Sequence, residues 1–344
     1  MPPKITACIL THGRPRELAL CCRSIARSLP PDGEVLVIVN GASPVIARND
    51  GQRIVNDPRF RIHALAGEPR AAARNHAWAL ARGEIVVFLD DDVVVPRHFF
   101  SEVLAAFASD PRAGIAGGPN LTPPPSRWPS RLFGAVMTSA FAAPMVRRRY
   151  GACPGGGPTP AGERDLALCN LAVHRDRVPT GLRFEGRLRG SEENVYIHAC
   201  ARRGVGAVFD GRLSVHHWRR PRLLAFLRQI HGYGFGRAQQ FVLAPGTFHP
   251  AFCLPSLAVA LFPVLAIEPN SLAAMCLVHA ALSLAGAAAS RQARRLGPLS
   301  VLLLVPLTAL VHAAYGIGFL RGAWHEAARI LPRVRIGYET CATR

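Results

Sequence analysis

The stretch Glu84-Ile85-Val86-Val87-Phe88-Leu89-Asp90-Asp91-Asp92 decides how this chain is read. Its apolar run has the length and β-branched content of a strand buried on both faces of a parallel sheet. Such a strand delivers its C-terminal end to the edge where open α/β sheets bind ligands, and that end carries consecutive carboxylates here. Carboxylates this close repel one another, so a cation is expected among them. Alternation along an extended backbone puts Asp90 and Asp92 on one side and turns Asp91 away, which suits a hard divalent ion completing its shell from water and a diphosphate. Taken alone, the triplet also reads as a solvated turn that caps the next element.

Upstream, Ile5–Leu10 and Glu34–Val39 read as strands, Arg59–Ala64 as a third, and Arg16–Ser28 and Ala71–Ala81 as helices between them. Strands alternating with helices imply an α/β class, a doubly wound and mostly parallel sheet. The Gly/Pro stretch Gly151–Pro160 is expected to be a mobile lid or acceptor loop.

Composition changes near Phe248. Residues 1–247 mix charge with short apolar runs, whereas 248–320 hold almost no charge outside Arg291–Arg295. Two regions follow: a cytosolic domain over 1–240 and C-terminal membrane-associated helices with a basic tail over 241–344. The net charge of +19 is carried almost wholly by arginine, Lys4 being the only lysine. No aromatic residues interleave with the basic ones as in nucleic-acid binders. The clusters at Arg219–Arg222, Arg291–Arg295 and Arg321–Arg335 instead flank apolar segments, so membrane lipids are the expected partner and nucleic acid is not. Nine cysteines without metal-ligand spacing read as buried hydrophobes in a reducing compartment, and the N-terminus shows no cleavable signal.

Four segments in order carry a resemblance: Ile5–Pro15; Ala72-Ala73-Arg74-Asn75 with Gly83 and Phe88–Asp92; Cys169–Arg175; and Gly190-Ser191-Glu192-Glu193 followed by Gly204. Together they resemble the family 2 inverting glycosyltransferases of the nucleotide-diphospho-sugar transferase (glycosyltransferase A) fold, over roughly residues 4–240. The resemblance implies a nucleotide-diphosphate sugar as donor and Mn2+ or Mg2+ as cofactor. It makes Asp92 a metal ligand, places Asp90 near the ribose or metal, and puts Arg74, Arg14 and Asp91 with the nucleotide-binding residues. Thr11, ending the first strand at the ligand edge, is expected against the base or ribose. Glu193 occupies the position of the family's general base, with Glu192 beside it. The family more often has Glu-Asp there, so the choice of base stays open between the two. Helix-initiating acids are the plainer reading of this pair. Asn40 stands where relatives often carry an acid that reads the base. Of the neighbouring His216 and His217, one is expected to reach the metal or diphosphate, and His216 is the one assigned.

The segment Gln229–Gly236 resembles the region that holds Gln-x-x-Arg-Trp in processive synthases. Its Arg-Trp is absent, which favours single additions. Beyond it, 250–267, 271–289 and 299–320 are each close to the ~20 residues that span a bilayer, the first being interrupted by Pro255 and Pro263. Two crossings by the later pair would keep the domain and the tail on one face, with Arg291–Arg295 outside. The run His312–Gly322 resembles the C-terminal segment of bacterial succinoglycan-synthesis-type glycosyltransferases, which implies polysaccharide biosynthesis at the inner membrane. A membrane anchor makes most sense with a lipid-linked or saccharide acceptor held at the same surface. A non-catalytic, membrane-anchored nucleotide-sugar-binding scaffold is the alternative.

Overall fold

The computed structural model describes residues 3–41, 57–153 and 157–341, with side chains to 330. In chain order its first elements are β1 (Ile5–Thr11), α1 (Pro15–Ser28), β2 (Glu34–Asn40), β3 (Phe60–Leu65), α2 (Arg70–Leu80), β4 (Ile85–Asp90), β5 (Val93–Val94), α3 (Phe99–Ser109), β6 (Ala113–Gly117) and β7 (Asn120–Leu121). Next come α4 (Trp128–Met137), β8 (Thr159–Pro160), β9 (Asn170–His174), α5 (Glu192–Ala201), β10 (Gly206–Phe209) and β11 (Val215–His217). The helices α6 (Leu223–Leu243), α7 (Leu254–Leu265), α8 (Pro269–Ala289), α9 (Arg291–Arg295) and α10 (Pro298–Cys341) complete the chain.

Eight strands form one sheet in the order β3-β2-β1-β4-β9-β6-β10-β8, and β5-β11-β7 form a smaller one. The strands from β3 to β4 are parallel, and the apolar runs of β1, β2 and β4 suit burial on both faces, whereas the edge strand β3 alternates apolar with polar residues. Alternation explains why both faces are covered. Ile5, Ala7 and Ile9 of β1 and Ile85, Val87 and Leu89 of β4 pack with α1 and α3, while Cys8, Val86 and Phe88 pack with α2 and α5 on the other side. The sheet is therefore doubly wound. It departs from a purely parallel one at β9, which enters antiparallel between β4 and β6. Of the expected loop Gly151–Pro160, residues 154–156 lie outside the described residues, and Thr159–Pro160 pairs with β10 as the edge strand β8.

The chain divides into two compact units. The first comprises Met1–Thr138, Val146–Arg187 and Glu192–Arg219, and the second Ser139–Met145, Leu188–Ser191 and Arg220–Arg344. Within the second, α6 and α10 approach through glycines: a Cβ on Gly318 would stand 2.0 Å from the His231 carbonyl oxygen. A larger residue there would push the helices apart. Pro269–Ala289 and Pro298–Ile330 are long and apolar enough to cross a membrane, whereas α7, with 12 residues, is too short.

Candidate active site

β4 does carry its acids to the sheet's C-terminal edge, where the chain turns sharply into β5. Asp90 ends the strand partly exposed, and Asp91 and Asp92 are buried beneath it. Asp91 turns away from Asp90 as alternation demands, but into the protein rather than to solvent. It accepts a 2.6 Å hydrogen bond from Thr11 Oγ1 and an ion pair from Arg14, which also reaches Asp92 Oδ2 at 2.5 Å. Burial pushes the Asp91 carboxyl up to about 6, against the pull of the Thr11 hydroxyl and Arg14. Burial acts on Asp92 in the same sense, yet the His217 ring and Arg14 hold it well below the usual carboxylate range.

His217 reaches this group because β11 pairs with β5, placing its Nε2 3.0 Å from Asp92 Oδ1. His216, the residue assigned to the metal from sequence, is one position off and so points from the other face of the strand. The carboxylates of Asp90 and Asp92 and the His217 ring offer ligand atoms within 4.8 Å of one another. Among the described residues, nothing but His217 approaches the buried Asp92 Oδ1 as a donor, and the opposite ring nitrogen of His217 has no partner. Two carboxylates and an imidazole fit a divalent ion such as Mn2+. Arg14, whose side chain is 44% exposed, supplies positive charge at the same place and has room to withdraw.

Arg74 links this group to the acid pair. Its guanidinium lies 2.5 Å from Glu192 Oε1 and 3.4 Å from Asp90 Oδ1, joining positions remote in sequence. The neighbouring Asn75 brackets the backbone of Phe184 with two 2.9 Å hydrogen bonds, fixing the approach to α5. Glu192 and Glu193 open α5, where carboxylates are favoured by the helix dipole, and both are buried. Glu193 is raised by burial, opposed by Arg149 at 3.4 Å and reinforced by Glu192.

Two expected nucleotide contacts are engaged elsewhere. The Thr11 hydroxyl is fully buried on Asp91. The Asn40 amide closes a bracket on Glu68, donating to its carbonyl and accepting from its N–H, both at 2.8 Å. Arg149 was not singled out from sequence. It is the last of three consecutive arginines, and only burial distinguishes it from Arg147 and Arg148.

A mostly parallel sheet with helices on both faces, with an acidic, cation-ready group and a buried acid pair at one edge, resembles the glycosyltransferase A fold. Residues 6–141 match the family described as Glycosyl transferase family 2. Among solved structures, the chain is similar to the mannosyltransferase PcManGT from Pyrobaculum calidifontis in complex with GDP-Man and Mn2+, at 18% identity and a TM-score of 0.59 over 94% of this chain and 88% of that one. S. aureus TarS 1-349 matches at 12% identity over 93% of this chain and 92% of that one, with TM-scores of 0.46 alone and 0.49 in complex with UDP-GlcNAc. No protein of curated function matches by sequence.

Proposed function

We propose that this protein is an inverting glycosyltransferase that adds a single sugar from a nucleotide-diphosphate donor to a lipid-linked saccharide at the inner membrane, with residues 1–240 carrying the chemistry and 241–344 the membrane association. The observation that carries the reading is the Arg74 fork, which holds Asp90 of the donor group and Glu192 of the acid pair on one guanidinium. A donor diphosphate and an acceptor hydroxyl must meet at such a distance for direct displacement.

Asp90, Asp92 and His217 would hold the divalent ion, which as a Lewis acid offsets charge on the departing diphosphate. Arg14 and Arg74 flank the same place and add cationic stabilisation as negative charge develops on the leaving group. Asp91 orients Arg14 from below. Glu193 takes the acceptor hydroxyl proton, because its neighbour Glu192 is tied at 2.5 Å to Arg74 while Glu193 meets its own arginine at only 3.4 Å. Its raised proton affinity suits a base working near neutrality. Inversion follows if the base faces the sugar opposite the diphosphate.

The deciding experiment is a thermal-shift panel of nucleoside diphosphates and their sugars, each with Mn2+, Mg2+ or EDTA. A sugar nucleotide that raises Tm only with the ion, and that is consumed when a saccharide-lipid fraction is added, supports the reading. No shift with any of them would sink it.

A further inference from the structure

The arginines that line the candidate site are paired with its acids. Arg14 meets Asp91 and Asp92, Arg74 meets Asp90 and Glu192, and Arg149 meets Glu193. Arg219 is held differently. Its partly buried guanidinium donates from Nε to Thr122 Oγ1 at 2.8 Å and from Nη2 to the Asn120 carbonyl oxygen at 3.2 Å, and it lies over the Tyr150 ring at 4.9 Å. These partners are neutral, and among the described residues no carboxylate pairs with this arginine. Its remaining nitrogen, Nη1, donates to none of the described residues and reaches solvent.

The local fold builds this placement. The Arg219 carbonyl oxygen accepts from Ser130 Oγ of α4 at 3.1 Å. Gly134, on the same helix, leaves the space that Thr122 and the guanidinium fill: a Cβ there would overlap Thr122 Oγ1 and stand 3.4 Å from Arg219 Nε. A long side chain fixed by two hydrogen bonds and an aromatic face has already lost most of its rotamer freedom, so little more is lost when the open nitrogen meets a ligand. A cation taken partly out of water without a counter-ion is costly, and the anion that the protein does not provide is expected from what binds.

Position decides which substrate brings that anion. The Trp218 N–H donates to the Asp92 carbonyl oxygen at 3.0 Å, which ties the chain between His217 and Arg219 to the end of β4. Arg219 is therefore only about 7 Å of extended chain from His217. On its other side stands Tyr150, the buried neighbour of Arg149. Burial raises the Tyr150 hydroxyl, Arg149 and Arg219 draw it down, and Cys169 and Glu193 add to the rise, so Arg219 and Glu193 act on one phenol. The donor diphosphate already has Arg14, Arg74 and the ion's ligands, whereas the side next to Glu193 receives the acceptor hydroxyl. Resting on the glycosyl-transfer reading above, we propose that Arg219 binds an oxyanion carried by the acceptor, near the hydroxyl that Glu193 deprotonates, so that the enzyme takes acidic acceptors. Two sources share this chemistry: the phosphate that links a saccharide to its lipid, and the carboxylate of an acidic sugar.

The test follows Tm of the full chain in detergent, with Mn2+ and a saturating nucleoside diphosphate, as two probe pairs are titrated: farnesyl phosphate against farnesol, and glucuronic acid against glucose. One anion is expected to raise Tm above its neutral partner, the first pair marking a lipid phosphate and the second an acidic sugar. Arg219→Gln should weaken binding of that anion by about ten-fold or more, the scale of a lost hydrogen bond to a charged group, and Arg219→Lys should keep part of it. The shift given by the nucleoside diphosphate with Mn2+ should be unchanged in both variants. If neither anion exceeds its neutral partner, or if the parent and Arg219→Gln respond equally, the proposal fails. Loss of the nucleoside diphosphate shift in Arg219→Gln would also overturn it, by moving the arginine to the donor. Should Arg219→Gln not fold, Thr122→Val, which removes one tether of the guanidinium, is expected to weaken the anion response and spare the nucleotide one, and an unchanged anion response would count against the proposal. A parent that responds to an anion but to no nucleoside diphosphate would instead remove the transferase reading and leave the anion site standing.

Discussion

His217 Nε2 lies 3.0 Å from Asp92 Oδ1, and this contact joins the small sheet to the acidic end of β4. Replacing the ring tests whether it is a ligand. His217→Ala should weaken Mn2+-dependent donor binding by ten-fold or more, the usual scale for losing an imidazole at a metal group, whereas His216→Ala should change it little. Mn2+ titrations followed by the donor-induced Tm shift measure both, and EDTA should reproduce the His217→Ala defect in the unsubstituted chain. Equal effects at the two positions would remove His217 from the site.

The acid pair separates binding from chemistry. Glu193→Gln should lower turnover by roughly 10²–10⁴-fold while donor binding stays near that of the parent, because a base acts in the transition state. Glu192→Gln should act differently. It removes the negative charge that holds Arg74 at 2.5 Å beside Asp90, so donor affinity and thermal stability should fall along with turnover. An inactive Glu192→Gln with an active Glu193→Gln would exchange the roles.

The sheet and its acidic edge were legible in the sequence because a buried parallel strand must be a continuous apolar run, and β1, β2 and β4 all are. Glu192 and Glu193 were singled out from their place in an ordered set of segments, and the structure buries both at the start of α5. What the sequence could not show depends on long-range pairing. Nothing local tells that β9 enters antiparallel, or that β11 pairs with β5 in the register that turns His217 rather than His216 to Asp92. The engagement of Asn40 with Glu68 likewise arises from two strand ends meeting in space.

Arg149 offers a charge test of the base. Its guanidinium sits 3.4 Å from Glu193 Oε1, donates to Asn194 Oδ1 at 2.7 Å and is fixed by the backbone carbonyls of Glu163 and Arg164. Removing it as Arg149→Met takes away the main influence that lowers Glu193, leaving burial and Glu192 to raise it further. The acidic limb of kcat/KM should therefore move to higher pH by about one unit or more, and Arg149→Lys should restore part of the shift. A uniform loss of activity with an unmoved limb would mark Arg149 as structural only.

The last prediction concerns stability at the end of the strands opposite the site. Glu34 is buried at the start of β2, where its carboxylate accepts from Thr6 Oγ1 at 2.8 Å and the Arg82 N–H at 3.1 Å and pairs with Arg61. Burial works to raise this group, but the hydrogen bonds from Arg61, Thr6 and Arg82 outweigh it and leave it lowered. A carboxyl whose folded value lies below its unfolded one contributes stability above the unfolded value of ~4.3, and loses it as pH falls through the folded one. Glu34→Gln should therefore cost about 2 kcal/mol at pH 7, the scale of hydrogen bonds to a charged group. That corresponds to a Tm lower by roughly 4–8 °C for a unit of this size. As pH is taken below ~4.3 the unfolded chain's carboxyl protonates while the folded one is still an anion, so the difference between the two proteins should shrink, and it vanishes once the folded group protonates too. Melting curves at pH 7, 5 and 3.5 measure it, and a difference that grows toward low pH would show that Glu34 is not held as the anion in the folded chain.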